Sequence, residues 1–327
     1  MEIRKVTGSI IRKVIWKRWE GFKWRLSRCG AILLLSCVVV QGCMVLRLNE
    51  KNPQPIPPLP CPTPPVKLAL VLGAGGIKGI AHAGVLEEFA KAGIYPNLIV
   101  GCSAGALIGG LYADNPDVSR LKKVIMNSTT SDFIDFSLLY SRFGVVKGLA
   151  LEGFLKTHLR SRTFEELKIP LIAVLVDLIS GEFVKLGSGP LIPALRGSSA
   201  FPGVFVPVYY LGRYFVDGGV INPLPVQVAK ECGAEVIVAI DVSNKINHQG
   251  PINLVEVAEH AVDITWKTLR SYAEKGADFL IRMDFSHEDA HTEEIYKRGQ
   301  QEARKYIPAI KKKLGLPDHV LRSAHAR

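Results

Sequence analysis

The feature that most restricts what this chain can fold into is the run Leu98-Ile99-Val100-Gly101-Cys102-Ser103-Ala104-Gly105, an apolar strand leading through Gly-x-Ser-x-Gly into a helix of small residues. A serine between a strand end and a helix start must occupy a strained turn, and glycines on either side remove the Cβ atoms that would collide there. The helix that follows aims its dipole and free N–H groups at whatever reacts beside the serine. Such an elbow needs a sheet beneath it. Elsewhere, short β-rich apolar runs alternate with helical periodicity, which predicts an α/β fold with a mostly parallel central sheet flanked by helices. Strands are expected at Leu68 to Leu72, Leu98 to Gly101, Leu171 to Val176, Glu182 to Leu186, Tyr209 to Val216, Val236 to Asp241 and Phe279 to Met283. Helices are expected near Ile80 to Ala92, Ala104 to Tyr112, Val118 to Met126, Leu151 to Leu159, Leu224 to Cys232, Leu254 to Lys275 and Glu293 to Leu314.

The formal net charge of +11 suggests a nucleic-acid partner until its location is considered. Residues 1 to 28 hold nine Lys or Arg against Glu2 and Glu20, so they supply +7 and leave +4 for the rest. No basic motif with interleaved aromatics reads nucleic acid, and that class is set aside. The basic stretch precedes an apolar run, residues 29 to 40, that is shorter than the ~20 residues a membrane-spanning helix needs. It fits a signal-peptide core. It ends in Val40-Gln41-Gly42-Cys43, which resembles the lipobox of bacterial lipoproteins. That resemblance implies a signal peptide over 1–42, diacylation of Cys43 and an outer-membrane lipoprotein facing periplasm or exterior. The alternative is an uncleaved basic anchor in which Trp16, Trp19 and Trp24 lie in the membrane interface.

Residues 44–66 are proline-rich and predict an extended linker, which at ~3.1 Å per residue could hold the domain up to roughly 70 Å from its anchor. Residues 67–327 are long enough for one catalytic domain with a substantial core. Of six cysteines, four fall in the targeting segment or among the prolines. No Cys-x-x-Cys or Cys/His spacing stands out, so neither a disulfide framework nor a metal is expected.

Two further segments carry chemistry. Gly73-Ala74-Gly75-Gly76-Ile77-Lys78-Gly79 follows a strand and precedes a helix, where a glycine-rich backbone can turn its N–H groups toward an anion. A dinucleotide site would require an acid at the end of the second strand, but that strand runs into Gly101, and a P-loop would require Gly-Lys-Ser/Thr. Phe215-Val216-Asp217-Gly218-Gly219, alone, reads as a turn.

In this order the three segments, supported by Arg196-Gly-Ser-Ser-Ala-Phe-Pro-Gly-Val-Phe and Asp217-Gly-Gly-Val-Ile-Asn-Pro-Leu-Pro, resemble the patatin-like phospholipase family over about residues 67 to 245. The resemblance implies a three-layer sandwich with a Ser-Asp dyad and no catalytic histidine. Ser103 would be the nucleophile and Asp217 the general base. N–H groups of Gly75, Gly76 and Ile77 would form the oxyanion hole, and Lys78 would brace the loop. Ala74 stands where many members have glycine, while Gly79, Gly101, Gly105, Gly218 and Gly219 complete the motifs. The implied substrates are phospholipid, lysophospholipid or other long-chain esters at a membrane surface, with no cofactor and no metal. The same acyl-enzyme would serve an acyltransferase or thioesterase, and a silent lipid-binding scaffold would keep the fold without turnover. A conventional Ser-Asp-His triad would draw on His248, His260, His287 or His291, which the sequence places in a helix or in polar connections. His82 reads as a structural hydrogen bonder and Cys102 as a small buried filler.

Overall fold

The computed structural model describes residues 48–59, 61–63, 65–136, 143–243, 254–283, 285 and 291–317. The signal-like run, Cys43, His248 and His287 lie outside them. The chain divides into two compact units, residues 1–49 and 50–327, and the elements of the fold belong to the second.

In chain order the elements are β1 (Leu68–Leu72), α1 (Ile80–Lys91), β2 (Leu98–Cys102), α2 (Ala104–Asp114), α3 (Val118–Asn127), β3 (Gly144–Val146), α4 (Leu149–His158), β4 (Leu171–Asp177), β5 (Phe183–Leu186), α5 (Leu191–Ser198), β6 (Gly203–Phe205), β7 (Val208–Tyr210), β8 (Arg213–Asp217), α6 (Val226–Glu231), β9 (Val236–Asp241), α7 (Leu254–Ala273), β10 (Phe279–Arg282) and α8 (Thr292–Leu314). The main sheet runs β10-β9-β1-β2-β4-β8-β7, with β5 also paired to β4. Strands β10, β9, β1, β2 and β4 are parallel, whereas β5, β8 and β7 join antiparallel. Leu72 lies opposite both Gly101 and Ile240, and Cys102 opposite Val174, so the C-terminal ends of four strands share one edge. Open parallel sheets bind ligands at that edge, where the loops to the helices diverge.

Continuous apolar runs form these strands because both faces are covered. Leu68, Leu70 and Leu72 of β1 enter one core with α1, α2, α5 and α8, and Ala69 and Val71 enter a second core against α6. The mostly parallel, helix-flanked sheet agrees with the sequence reading. The differences are local. The expected strand 209–216 is a hairpin, β7 and β8, because Leu211-Gly212 makes a turn with both residues at positive φ. Helix α5 and the short parallel pair β3–β6 escaped the sequence reading. Each is held by neighbours more than by its own pattern. Helix α8 ends at Gly315, which caps it at φ 67, and Lys313 of its last turn pairs with Asp278 at 3.3 Å.

Two expectations about the N-terminal segment are corrected. Residues 50–66 do not stand off from the domain as a spacer. Gln54 N–H donates to the Leu211 carbonyl at 2.9 Å and Arg213 Nε to the Gln54 carbonyl at 3.3 Å. Ile56 packs on the first core, and Leu59 and Cys61 on the second. A proline-rich backbone lacks donors for a ladder, but its apolar side chains can still cover part of a sheet face beside α6. Cys61 is also disulfide-bonded to Cys232 at the C-terminal end of α6, with Cα atoms 5.0 Å apart. Counting cysteines along the sequence missed this pair, whose members are 171 residues apart.

Such a bridge restricts a very long loop in the unfolded chain, so the Cys61→Ser/Cys232→Ser variant should lose ~2–5 kcal/mol of stability. Denaturant unfolding should show that loss, and adding reductant to the wild type should reproduce it.

Candidate active site

Ser103 follows β2 directly and adopts φ 54, ψ −125, a left-handed-side conformation rare for a residue with a Cβ. Close packing enforces it. A Cβ on Gly105 would stand 2.1 Å from the Leu72 carbonyl oxygen, and one on Gly101 2.5 Å from Ala106 Cα. Helix α2 therefore starts against the ends of β1 and β2, leaving the serine at its N-terminus. The Ser103 N–H donates to Ser198 Oγ at 3.1 Å, and that hydroxyl donates to the Val174 carbonyl at 2.8 Å. Ser199 Oγ donates to the Ser103 carbonyl at 3.3 Å. The Arg196-Gly-Ser-Ser segment thus braces the elbow, a role sequence reading had not assigned. Two adjacent serines after an arginine were visible, but their partners lie about 95 residues away.

Asp217 ends β8 opposite Leu175, beside the end of β2, and is 1% exposed. Its Oδ1 accepts from the Gly219 N–H at 2.7 Å, and the Cys102 thiol stands 3.7 Å away. The other oxygen, Oδ2, is buried and makes no hydrogen bond of ordinary length and angle. The Ser103 hydroxyl is nevertheless close enough to favour the ionised carboxyl. Burial has the larger influence and lifts the pKa from 3.8 to about 6, against the lowering effects of Ser103, the Gly219 N–H and Cys102. Cys102 is itself fully buried, and burial with the nearby Asp217 charge pushes its thiol well above the ordinary range, in keeping with a filler.

The glycine loop leaves β1 at the same edge. Gly73 N–H donates to the Ile240 carbonyl at 3.0 Å, Ala74 N–H to the Pro223 carbonyl at 2.8 Å, and Lys78 N–H back to the Gly75 carbonyl at 3.1 Å. The N–H groups of Gly75, Gly76 and Ile77 between them have no partner among the described residues. Gly76 has φ +55, and a Cβ on Gly79 would lie 2.4 Å from the Ala104 Cβ, so the loop rests on the first turn of the serine's helix. Three consecutive free donors beside a helix N-terminus can hold a developing oxyanion. Lys78 turns its ammonium toward the Phe285 ring, 6.0 Å from the centroid.

His82 is fully buried and hydrogen-bonds the Gly73 carbonyl through Nε2 at 2.9 Å. A carbonyl only accepts, so the proton is on Nε2, and burial depresses the pKa to about 4, which keeps the ring neutral. The ring supports the loop, as the sequence suggested. His260 is a half-buried residue of α7, and His291 is the exposed N-cap of α8. Among the described residues none forms a hydrogen bond with Ser103. Nor do these residues contain three His, Cys, Asp or Glu grouped to hold a metal. Trp266 of α7 comes over the site from the far side: a Cβ on Gly219 would be 3.0 Å from its Cζ2 and 3.5 Å from the Ala74 Cβ.

With this geometry in place, comparison with known proteins shows what the chain is similar to. The profile of the patatin-like phospholipases matches residues 70–230, an interval that contains the loop, the elbow and Asp217. An uncharacterized NTE family protein of Mycobacterium tuberculosis is 32% identical over 179 residues, covering 54% of this chain and 49% of that protein. The human patatin-like phospholipase domain-containing protein 6 is 30% identical over 218 residues, covering 64% of this chain and 15% of the relative. The chain thus spans about half the length of the mycobacterial relative and a small part of the human one. The fold is shared with VipD from Legionella pneumophila, with TM-score 0.50 and 14% identity over 83% of this chain and 73% of that one.

Two outcomes test the packing and charge of the site. Gly105→Ala should cost at least ~3 kcal/mol in denaturant unfolding, because the new methyl meets backbone rather than a movable side chain. Asp217 is protonated more readily folded than unfolded, so its contribution to stability is greatest below pH 3.8 and is lost as pH rises through about 6. Asp217→Asn should therefore stabilise the fold at pH 8 by on the order of 3 kcal/mol and make little difference near pH 4, read as unfolding free energy across pH.

Proposed function

We propose that this chain is a serine acyl hydrolase of lipid carboxylic esters, of phospholipase A or lysophospholipase type, working through Ser103 and Asp217. The observation that carries the reading is the conjunction at one sheet edge of a serine held at φ 54 and a buried carboxyl with one oxygen free of hydrogen bonds. The unpartnered N–H groups of Gly75, Gly76 and Ile77 support it. The name of the human relative, a patatin-like phospholipase domain-containing protein, points the same way.

Ser103 Oγ attacks the ester carbonyl carbon while its proton passes to Asp217 Oδ2. The carbonyl oxygen becomes an oxyanion within reach of the three loop N–H groups, where one such donor is typically worth ~2.7–4 kcal/mol of barrier. Collapse breaks the bond to the alcohol, which leaves with the proton held by Asp217, and Ser103 keeps the acyl group. Water then attacks the acyl-enzyme, Asp217 takes its proton, and a second collapse returns that proton to Ser103 and frees the fatty acid. The raised pKa makes Asp217 a better base than an exposed aspartate while leaving it ionised at neutral pH.

The setting we propose is a membrane-anchored lipoprotein attached through Cys43. The sequence of residues 29–43 supports this, and so does the Cys61–Cys232 bridge, since such bonds persist in oxidising compartments.

The test is hydrolysis of phospholipid and of a short-chain ester by the purified full-length chain. Ser103→Ala and Asp217→Asn should each lower kcat/KM by at least ~1,000-fold, while His260→Ala and His291→Ala stay close to wild type. The wild-type kcat/KM should fall as pH drops through about 6, when Asp217 takes up its proton. Loss of turnover in a histidine variant would replace the dyad with a triad, and transfer of the acyl group to an added alcohol in preference to water would make the chain an acyltransferase.

A further inference from the structure

We infer that the sheet edge carrying Ser103 is also a membrane-docking face, on which exposed apolar side chains around the site enter a lipid bilayer. The inference rests on the lipid-ester reading and deepens it by assigning the surface that meets the substrate's membrane.

Isolated exposed apolar side chains are ordinary, but a cluster around a concave site marks an interaction surface. Here they surround one edge. Ile77, 66% exposed, stands on the glycine loop after β1. Leu178 and Ile179, the latter 53% exposed, form the tip of the turn after β4. The Asp177 carboxylate fixes that turn by accepting from the Ile179 and Ser180 N–H groups at 2.9 and 3.1 Å. Val220 and Ile221 lie on the crossing that carries the chain from Asp217 to the Pro223 carbonyl held by Ala74 N–H. Ile264 of α7 is 53% exposed. Trp266 of the same helix points at Gly219, and at 3.6 residues per turn a side chain two positions away points roughly 200° from it, so Ile264 faces solvent on the outer side of the helix that covers the site.

The path of the chain selects a bilayer as the occupant. Asp177 pairs with Phe215 while Asp217 pairs with Leu175, so the Leu211-Gly212 turn extends beyond the end of β4 on the site side. Residues 51–54 bind that turn, and the chain therefore enters the domain at the edge where Ser103 lies. The apolar run 29–40 and Cys43 precede this point, and the seven-residue step from Cys43 to Glu50 reaches at most ~25 Å when fully extended. An anchor there brings the membrane to this edge and away from Tyr95, the exposed aromatic before β2 at the opposite end. Docked in this way, an acyl chain passes from bilayer to Ser103 without crossing water, and the hydrophobic cost of extracting a lipid is largely removed.

The test uses the full-length chain reconstituted into vesicles of phosphatidylethanolamine and phosphatidylglycerol. Ile179→Glu/Ile264→Glu is compared with Tyr95→Ser and with Ile179→Trp/Ile264→Trp. The glutamate variant should lose at least roughly tenfold in hydrolysis of the vesicle lipid while staying within about twofold of wild type on a soluble short-chain ester. Tyr95→Ser should match wild type on both, and the tryptophan variant should keep its vesicle rate, since tryptophan favours the interface. Rates on both substrates falling together, or an unchanged vesicle rate in the glutamate variant, would overturn the proposal. Amide hydrogen exchange separates this from a failure of the catalytic reading. Even in a chain that hydrolyses no ester, residues 178–181 and 219–222 should exchange more slowly in vesicles than in the glutamate variant, and equal exchange in the two would sink the docking face.

Discussion

The architecture of this protein depends on the close seating of helix α2 on the ends of β1 and β2. Gly105 faces the Leu72 carbonyl and Gly101 faces Ala106 at distances that admit no Cβ. This contact forces Ser103 to positive φ and sets its side chain at the start of a helix. It also gives the glycine loop a surface to rest on, since Gly79 meets Ala104 with similar closeness. Strain at Ser103 is held by its surroundings through the hydrogen bonds of Ser198 and Ser199, as sparsely populated backbone conformations require.

Around this contact most of the loop's polar groups are paired within the fold. Gly73, Ala74 and Lys78 have committed N–H groups, and His82 supports the loop from below as a neutral ring. The groups left over are three loop donors, the Asp217 Oδ2 oxygen and the His82 Nδ1 nitrogen. An unpaired buried oxygen is costly, and burial of Asp217 works against the folded state at neutral pH. That cost is intelligible if the same oxygen receives a proton during catalysis, because a base fully hydrogen-bonded at rest would be a poorer one.

The segment from Glu50 to Val66 gives the fold an unusual layer. On the second sheet face a proline-rich stretch of chain packs Leu59 and Cys61 onto the core that α6 and Trp266 of α7 also cover, and its disulfide ties it to α6. One covalent path thereby runs from the N-terminal region to the helix following the Asp-Gly-Gly segment. It also brings residues 51–54 onto the Leu211-Gly212 turn at the site edge.

The sequence by itself determined the fold class, nearly all the main-sheet strands, the elbow and the loop, because these depend on local periodicity and on glycines whose spacing is readable along the chain. The places of Ser103, Asp217 and the loop donors at one edge were legible only through the resemblance of three separated motifs, since no local rule brings residue 217 to residue 103. The tertiary structure alone decided the rest. The pairing of Cys61 with Cys232, the bracing of Ser103 by Ser198 and the approach of Trp266 to Gly219 join residues from about 50 to 170 positions apart. The proline-rich segment carries the composition of a free linker, yet it packs, because apolar burial against an uncovered sheet face outweighs a local preference for extension. Long-range contacts of this kind depend on which surfaces the folded sheet leaves bare, a quantity no window of sequence contains.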